Sequence, residues 1–194
     1  MFDKRRAWIW LHEPKHEWND AVLRISTQAE TDFWQGTHYG FRRDNGHCLL
    51  TDVEEDFSLV VRCSAEPCNR YDQGGIMLRI DTENWIKIGI EAESRTVSRL
   101  GSVVTNLGYS DWATVDIDAT IQSMWYRVQG KGADFLIESS ENGKSWNQMR
   151  MAHLHAYPGR ISVGVYACSP SNGEGCDFVF DHLTLGSSQW EDEI

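Results

Sequence analysis

At twelve places along the chain, apolar residues alternate with polar ones or run unbroken for the length of a short strand. No long stretch repeats them with the 3.6-residue period of a helix. The segments are 21–26, 47–51, 57–63, 76–80, 85–91 and 101–105, then 113–117, 124–129, 135–139, 148–154, 161–167 and 177–185. Turn-forming residues part them, among them Asp44-Asn45-Gly46, Gly130-Lys131-Gly132, Glu141-Asn142-Gly143 and Ser171-Asn172-Gly173. About twelve short strands at regular spacing leave two architectures, a β-sandwich or a β-barrel. No linker, low-complexity tract or fixed-period repeat interrupts the series, so residues 1–194 read as one all-β domain. A chain of this length can bury a core without a disulfide or metal staple. Its acidic end, Trp190 to Ile194, reads as a frayed tail.

The segment 71–91, YDQGGIMLRIDTENWIKIGIE, carries the clearest two-faced pattern. Ile76, Leu78 and Ile80 alternate with other residues, and so do Ile86, Ile88 and Ile90. A plain four-residue loop over Asp81–Asn84 would set Ile80 opposite Trp85, on one face. Keeping all six aliphatics together takes an odd-numbered loop or a bulge, and the strength of the second triplet favours the bulge. Met77, Arg79, Trp85, Lys87 and Glu91 then share the other face, where Gly89 leaves a gap for a ligand or a neighbouring side chain. Lys87 and Glu91 stand about 13 Å apart along that face, too far to pair. Asp72 or Asp111 is the expected counter-charge for Lys87, and Arg79 for Glu91, an arrangement that keeps the carboxylates ionised at neutral pH. A solvated face with a cross-strand charge ladder is the plainer alternative.

Eighteen basic against 29 acidic residues give a net charge of −11, with no basic stripe to meet phosphates. Nucleic acid and anionic membrane are therefore excluded as partners. The five cysteines, Cys48, Cys63, Cys68, Cys168 and Cys176, are odd in number and irregular in spacing, which argues against a disulfide framework. Cys63–Cys68 and Cys168–Cys176 lack the tight spacing of zinc pairs, and His153-Leu154-His155 lacks a third ligand, so no metal and no cofactor is expected. The apolar run in MFDKRRAWIWLHEP is broken at His12 and Glu13, too early for a signal peptide or a membrane span. These features point to a cytoplasmic protein with reduced thiols.

Aromatic residues gather beside polar ones at 31–41 (TDFWQGTHYGF), 71–73, 109–112 (YSDW) and 166–171 (YACSPS). That is the composition of a sugar site, where a ring stacks on the apolar face of a pyranose and polar groups bind its hydroxyls. Tryptophans in a sandwich are also core residues, and at least half of the nine here should be buried structurally. Hydrolysis would need two facing carboxylates. The E-x-D-x-E strand motif of sandwich glucanases stops short at Glu30-Thr31-Asp32 and at Glu54-Glu55-Asp56, and Glu91-Ala92-Glu93 lacks its middle acid. There is no G-x-S-x-G, P-loop or H-E-x-x-H.

With these motifs in view, the chain resembles a concanavalin A-like family of unknown function, the regulation-of-enolase-protein-like family. The resemblance rests on TDFWQGTHYGFRRDNGH, DFSLVV, YDQGGIMLRIDTENWIKIGIE, SVVTNLGYSDW, SSENGKSW and VGVYACSP followed by FVFDHLTL, in order over about residues 7–186. Related sandwiches occur as accessory domains of some β-xylosidases and arabinofuranosidases. The resemblance implies a jelly-roll β-sandwich of two antiparallel sheets, one concave, with the polar face of 76–91 turned into the groove. The family's polar motif positions fall on Asp32, Trp34, Asp72, Gln73, Trp85, Lys87, Glu91, Ser110, Asp111 and Trp112. With Arg79 from the strand pattern, these form the candidate ligand-binding set.

The leading expectation is a non-catalytic, lectin-like or partner-binding sandwich whose ligand is a carbohydrate or another small polar molecule. Trp85 would be an exposed groove aromatic, cheap to remove. One alternative is a glycan-active hydrolase using Glu91 with Asp111 or Asp72. A second is a protein-interaction module that regulates a metabolic enzyme.

Overall fold

The computed structural model describes residues 6–19 and 21–191. Most of the expected acidic tail, 192–194, lies outside them. Sixteen strands follow in order. The first eight are β1 (Ile9–Leu11), β2 (Lys15–Trp18), β3 (Val22–Ser26), β4 (Phe33–Gln35), β5 (Arg42–Asp44), β6 (His47–Val53), β7 (Phe57–Ala65) and β8 (Gln73–Arg79). The rest are β9 (Trp85–Ala92), β10 (Val97–Asn106), β11 (Tyr109–Asp118), β12 (Ser123–Lys131), β13 (Asp134–Ser140), β14 (Asn147–His153), β15 (Ile161–Cys168) and β16 (Asp177–Ser187). The twelve expected strands are all present. The count is corrected upward by β1, β2, β4 and β5, three- or four-residue strands too short to show a period. No described residue is helical.

Two seven-stranded antiparallel sheets face each other. The front sheet runs β1-β6-β15-β8-β9-β10-β11, and the back sheet runs β14-β13-β12-β7-β16-β3-β2. Between them lies the main core, with Leu49, Ile76, Leu78, Ile86, Ile88 and Val163 from the front meeting Leu59, Val61, Tyr126, Val128, Phe135 and Phe180 from the back. Alternation explains the choice: in β7 every second residue, from Phe57 to Cys63, is buried.

The central strands of the front sheet, β6, β15, β8 and β9, are largely buried on both faces. A strap of residues 27–46, folded into the β4–β5 ribbon, lies across the sheet's outer side. Phe33 and Trp34 of the strap join Cys48, Leu50, Met77, Trp85, Val103, Tyr166 and Cys168 of the sheet in a second apolar cluster. This accounts for the runs of five or six consecutive buried residues in β6, β8 and β9, since a strand covered on both faces has no solvent side to alternate with.

The β8–β9 hairpin settles the register of 76–91. Arg79 pairs with Trp85, Met77 with Lys87 and Ile76 with Ile88, without a slip. The connection is an odd, five-residue loop over 80–84 and not the expected bulge. Asn84 O closes it by accepting from the backbone N–H groups of Ile80 (3.0 Å) and Asp81 (3.3 Å). Met77, Arg79, Trp85, Lys87 and Glu91 do share the non-core face. The gap at Gly89 is occupied by protein: a Cβ there would stand 3.0 Å from the Tyr166 hydroxyl.

Candidate functional site

The polar residues on the outer face of the front sheet hold the strap. Lys87 Nζ donates to Phe33 O (2.8 Å) and to Asp32 Oδ1 (3.2 Å). Arg79 donates from both terminal nitrogens to the Asp44 carboxylate, each at 2.8 Å. Ser110 Oγ accepts from Gln35 N (2.9 Å) and exchanges a hydrogen bond with Thr105 Oγ1 (2.8 Å). Each of these satisfies a backbone group or charge that the strap would otherwise bury unpaired. Trp85 fills the space beneath. It is fully buried (0 % exposed), edge-on to Phe33 at 6.1 Å, with its indole N–H donating to Thr82 O.

Beside the strap the outer face hollows into a concavity of about 540 Å³. Six candidate residues border it: Asp32, Trp34, Gln73, Lys87, Glu91 and Trp112. The other five do not. Trp85 is core, so its expected role as an exposed aromatic is corrected, because the strap covers the face that periodicity alone leaves open. Arg79 and Ser110 are consumed by the strap. Asp72 is 1 % exposed and its Oδ2 caps a turn, accepting from the backbone N–H groups of Cys68 (2.9 Å) and Asn69 (2.8 Å). Asp111 sits opposite Val104, a main-core residue, and pairs with Arg150 of the back sheet at 2.8 Å. The expected gathering of Trp85, Lys87 and Glu91 with Asp72 and Asp111 is therefore not found.

Tyr39, Phe41, Tyr71, Arg70, Glu93 and Arg99 complete the hollow. Tyr39 and Phe41 stack at 5.8 Å, Tyr39 meets Trp34 at 5.6 Å, and Trp34 meets Trp112 edge-on at 6.5 Å. The Arg99 guanidinium lies over Trp112 (5.4 Å) and its Nε faces Glu93 at 3.3 Å. Arg70 pairs with the same Glu93 and covers the Tyr71 ring (4.5 Å). Arg99 was within reach of strand reasoning, since it is the cross-strand partner of Glu91 in β10. Tyr39 and Phe41 come from the strap loop, which no periodicity places.

The counter-charges also differ from those expected. Lys87 takes Asp32, and Arg79 takes Asp44. Glu91 Oε2 accepts from Gln73 Nε2 at 3.0 Å. Burial drives the Glu91 carboxyl up to about 7, with the Lys87 ammonium opposing that rise and Asp32 adding to it. Glu91 is thus not held as a low-pKa carboxylate. For Lys87, burial alone would lower the pKa, but Asp32, Cys168 and Glu91 outweigh it and the ammonium is raised. A second hollow of about 520 Å³ lies near His12, Gln28, Arg43 and His47 and has no tryptophan, tyrosine or phenylalanine in its lining.

Two antiparallel sheets closed face to face, one of them roofed by a strap and hollowed beside it, make a concanavalin A-like jelly-roll β-sandwich. The chain belongs to the family described as "Protein of unknown function (DUF1349)", whose model matches residues 10–188. It is 38 % identical over 177 residues to "Regulation of enolase protein 1" of Saccharomyces cerevisiae, covering 91 % of this chain and 87 % of that one. The crystal structure of a functionally unknown protein from the same yeast superposes with a TM-score of 0.86 at 33 % identity, over 94 % of this chain and 97 % of the other. The GH43 protein BlXynB from Bacillus licheniformis matches with a TM-score of 0.64 at 18 % identity, over 84 % of this chain but 32 % of its own length, which is a likeness of fold alone.

Proposed function

We propose that the concavity beside the strap binds carbohydrate without catalysis, in a cytoplasmic protein. The observation that carries this reading is the composition of the hollow. Trp112, Trp34, Tyr39, Phe41 and Tyr71 form an aromatic wall over a floor of Asp32, Lys87, Gln73 and Glu91. Aromatic faces stack on the C–H faces of a sugar ring, while fixed donors and acceptors take its hydroxyls. Lys87 and Asp32 are already paired, so they can share hydrogen bonds with hydroxyls without a new charge being buried. Five free cysteines fit a reducing compartment.

A thermal-shift screen against mono- and oligosaccharides tests the reading, because a ligand that binds only the folded state raises Tm. At least one sugar should raise Tm in the parent and fail to do so in Trp112→Ala and Tyr39→Ala. No response to any sugar, or full retention of the shift in both variants, counts against it.

Two other readings each have one observation behind them. The raised Glu91 carboxyl suits a general acid. Both carboxylates expected as its partner, Asp72 and Asp111, lie outside the hollow, whereas Asp32 and Glu93 border it with Glu91, so turnover of chromogenic aryl glycosides abolished by Glu91→Gln and by Asp32→Asn or Glu93→Gln would support hydrolysis. The name of the yeast relative points instead to enolase as a protein partner, for which co-purification with enolase is the direct test.

A further inference from the structure

At the margin of the hollow, to which they contribute Arg70, Tyr71 and Pro170, two loops meet: 66–72, which joins β7 to β8, and 169–176, which joins β15 to β16. Their meeting brings Cys68 beside Cys176, residues 108 apart in the chain. The thiol sulfurs and an Asp72 carboxylate oxygen all lie within 4.8 Å of one another. The two pairs nearest in sequence, Cys63–Cys68 and Cys168–Cys176, lack tight spacing, and the cluster takes one cysteine from each.

Three features set this cluster apart from chance proximity. First, Asp72 is 1 % exposed and its Oδ1 has no hydrogen-bond partner, although Oδ2 accepts from two backbone N–H groups. A buried carboxylate oxygen without a donor is costly unless something positive meets it. Second, both thiols converge on one carbonyl, Cys68 Sγ donating to Glu66 O at 3.8 Å and Cys176 Sγ to the same oxygen at 3.5 Å, with Asp177 O a further acceptor for Cys176 at 3.7 Å.

Third, the two loops are held in register by bonds that do not involve the cluster's own side chains. Asn69 Nδ2 donates to Glu174 O (2.7 Å), and Ser171 Oγ donates to Arg70 O (2.5 Å). Thr27 Oγ1 accepts from Cys176 N (2.8 Å). The donor set is therefore pre-positioned, which a tight site requires. Cys68 is exposed and borders an open hollow of about 320 Å³ with Pro67 and Asn69, so the cluster has an entry path.

We propose that Cys68, Cys176 and Asp72 form a three-ligand site for a borderline-soft divalent cation of the zinc type. Two sulfurs and one carboxylate oxygen are the donors such an ion takes, and hard cations such as calcium or magnesium prefer all-oxygen sets. Binding replaces two S–H bonds with two metal–sulfur bonds and releases two protons to solvent, and the carboxylate oxygen supplies the third bond. With three protein ligands, a four-coordinate ion would have one position left for water or an exogenous ligand. None of the three ligand side chains borders the aromatic hollow, although the loops that carry them also supply Arg70, Tyr71 and Pro170 to its lining.

Cobalt(II), a zinc substitute with visible and near-ultraviolet absorption, is the probe. The reduced, metal-free full chain should bind one equivalent, show a thiolate-to-cobalt charge-transfer band, and lose the band when zinc is added. Binding should weaken as pH falls, because the thiols must lose their protons. Cys68→Ser and Cys176→Ser should abolish the band, and Asp72→Asn should weaken binding by roughly tenfold or more. Cys68 is exposed, so Cys68→Ser keeps the fold and decides the matter even if Cys176→Ser does not fold. Absence of a charge-transfer band in the parent, cobalt uptake without one, or a band that survives Cys68→Ser overturns the proposal.

Discussion

Glu91 shows how far one residue can depart from its period-two reading. Strand geometry places it on the outer face with Lys87, and that much holds. Its carboxyl, however, is half-buried at the floor of the hollow against Gln73, and is raised from its ordinary 4.5 to about 7, burial being the chief cause. Between those two values the folded protein keeps a proton that the unfolded chain has released. The stability this group contributes is therefore full below about 4.5, falls as pH rises, and is lost once pH passes about 7. A shift of that size corresponds to about 3 kcal/mol, and partial solvent access lowers it, so roughly 1–3 kcal/mol is at stake. Denaturant titrations at several pH values should show this fall in the parent and its absence in Glu91→Gln, which keeps the shape and an oxygen for Gln73. A variant with the parent's slope between pH 5 and 8 would mean that another group titrates there.

The strap is the element that turns a two-layer sandwich into three layers, and it was the least legible part of the sequence. The twelve longer strands could be read because one or both faces carry regular apolar positions, as in β7. Strands β4 and β5 have three residues each, and their hairpin, with left-handed Gly36 and Gly40, gives no period at all. Without the strap, Trp85 and Arg79 look like ligand contacts, and with it they become the strap's support. Aromatic density at 31–41 was the visible signal, and it marked both the wall of the hollow and the plug over Trp85. Truncating Trp85 to Ala should thus cost about 3–5 kcal/mol, the range for a buried aromatic, instead of the small loss of a groove residue. Urea unfolding measures it. A loss under about 1 kcal/mol would mean that the strap does not seal this face in solution.

At the scale of the whole molecule, the front sheet divides two apolar cores that need not open together. The main core between the sheets is fixed by long strands and includes Cys63. The strap cluster includes Cys48 and Cys168, and its outer layer is a short ribbon held by a few side-chain bonds, those of Lys87, Arg79 and Ser110 among them. Regions tied down by few contacts open at lower free energy than the global transition. Burial pushes the thiols of Cys48, Cys63 and Cys168 upward, so none reacts until its surroundings open. The cysteines therefore act as internal clocks. Metal-free protein pulsed with an alkylating reagent at rising denaturant, and read by peptide mass spectrometry, should label exposed Cys68 first. Cys48 and Cys168 should follow as the strap lifts, and Cys63 should come last, with global unfolding. Cys48, Cys168 and Cys63 labelling along one common curve would show that strap and sandwich form a single cooperative unit. The hollow would then be as rigid as the sandwich, and a ligand entering it would meet a preformed wall instead of ordering one.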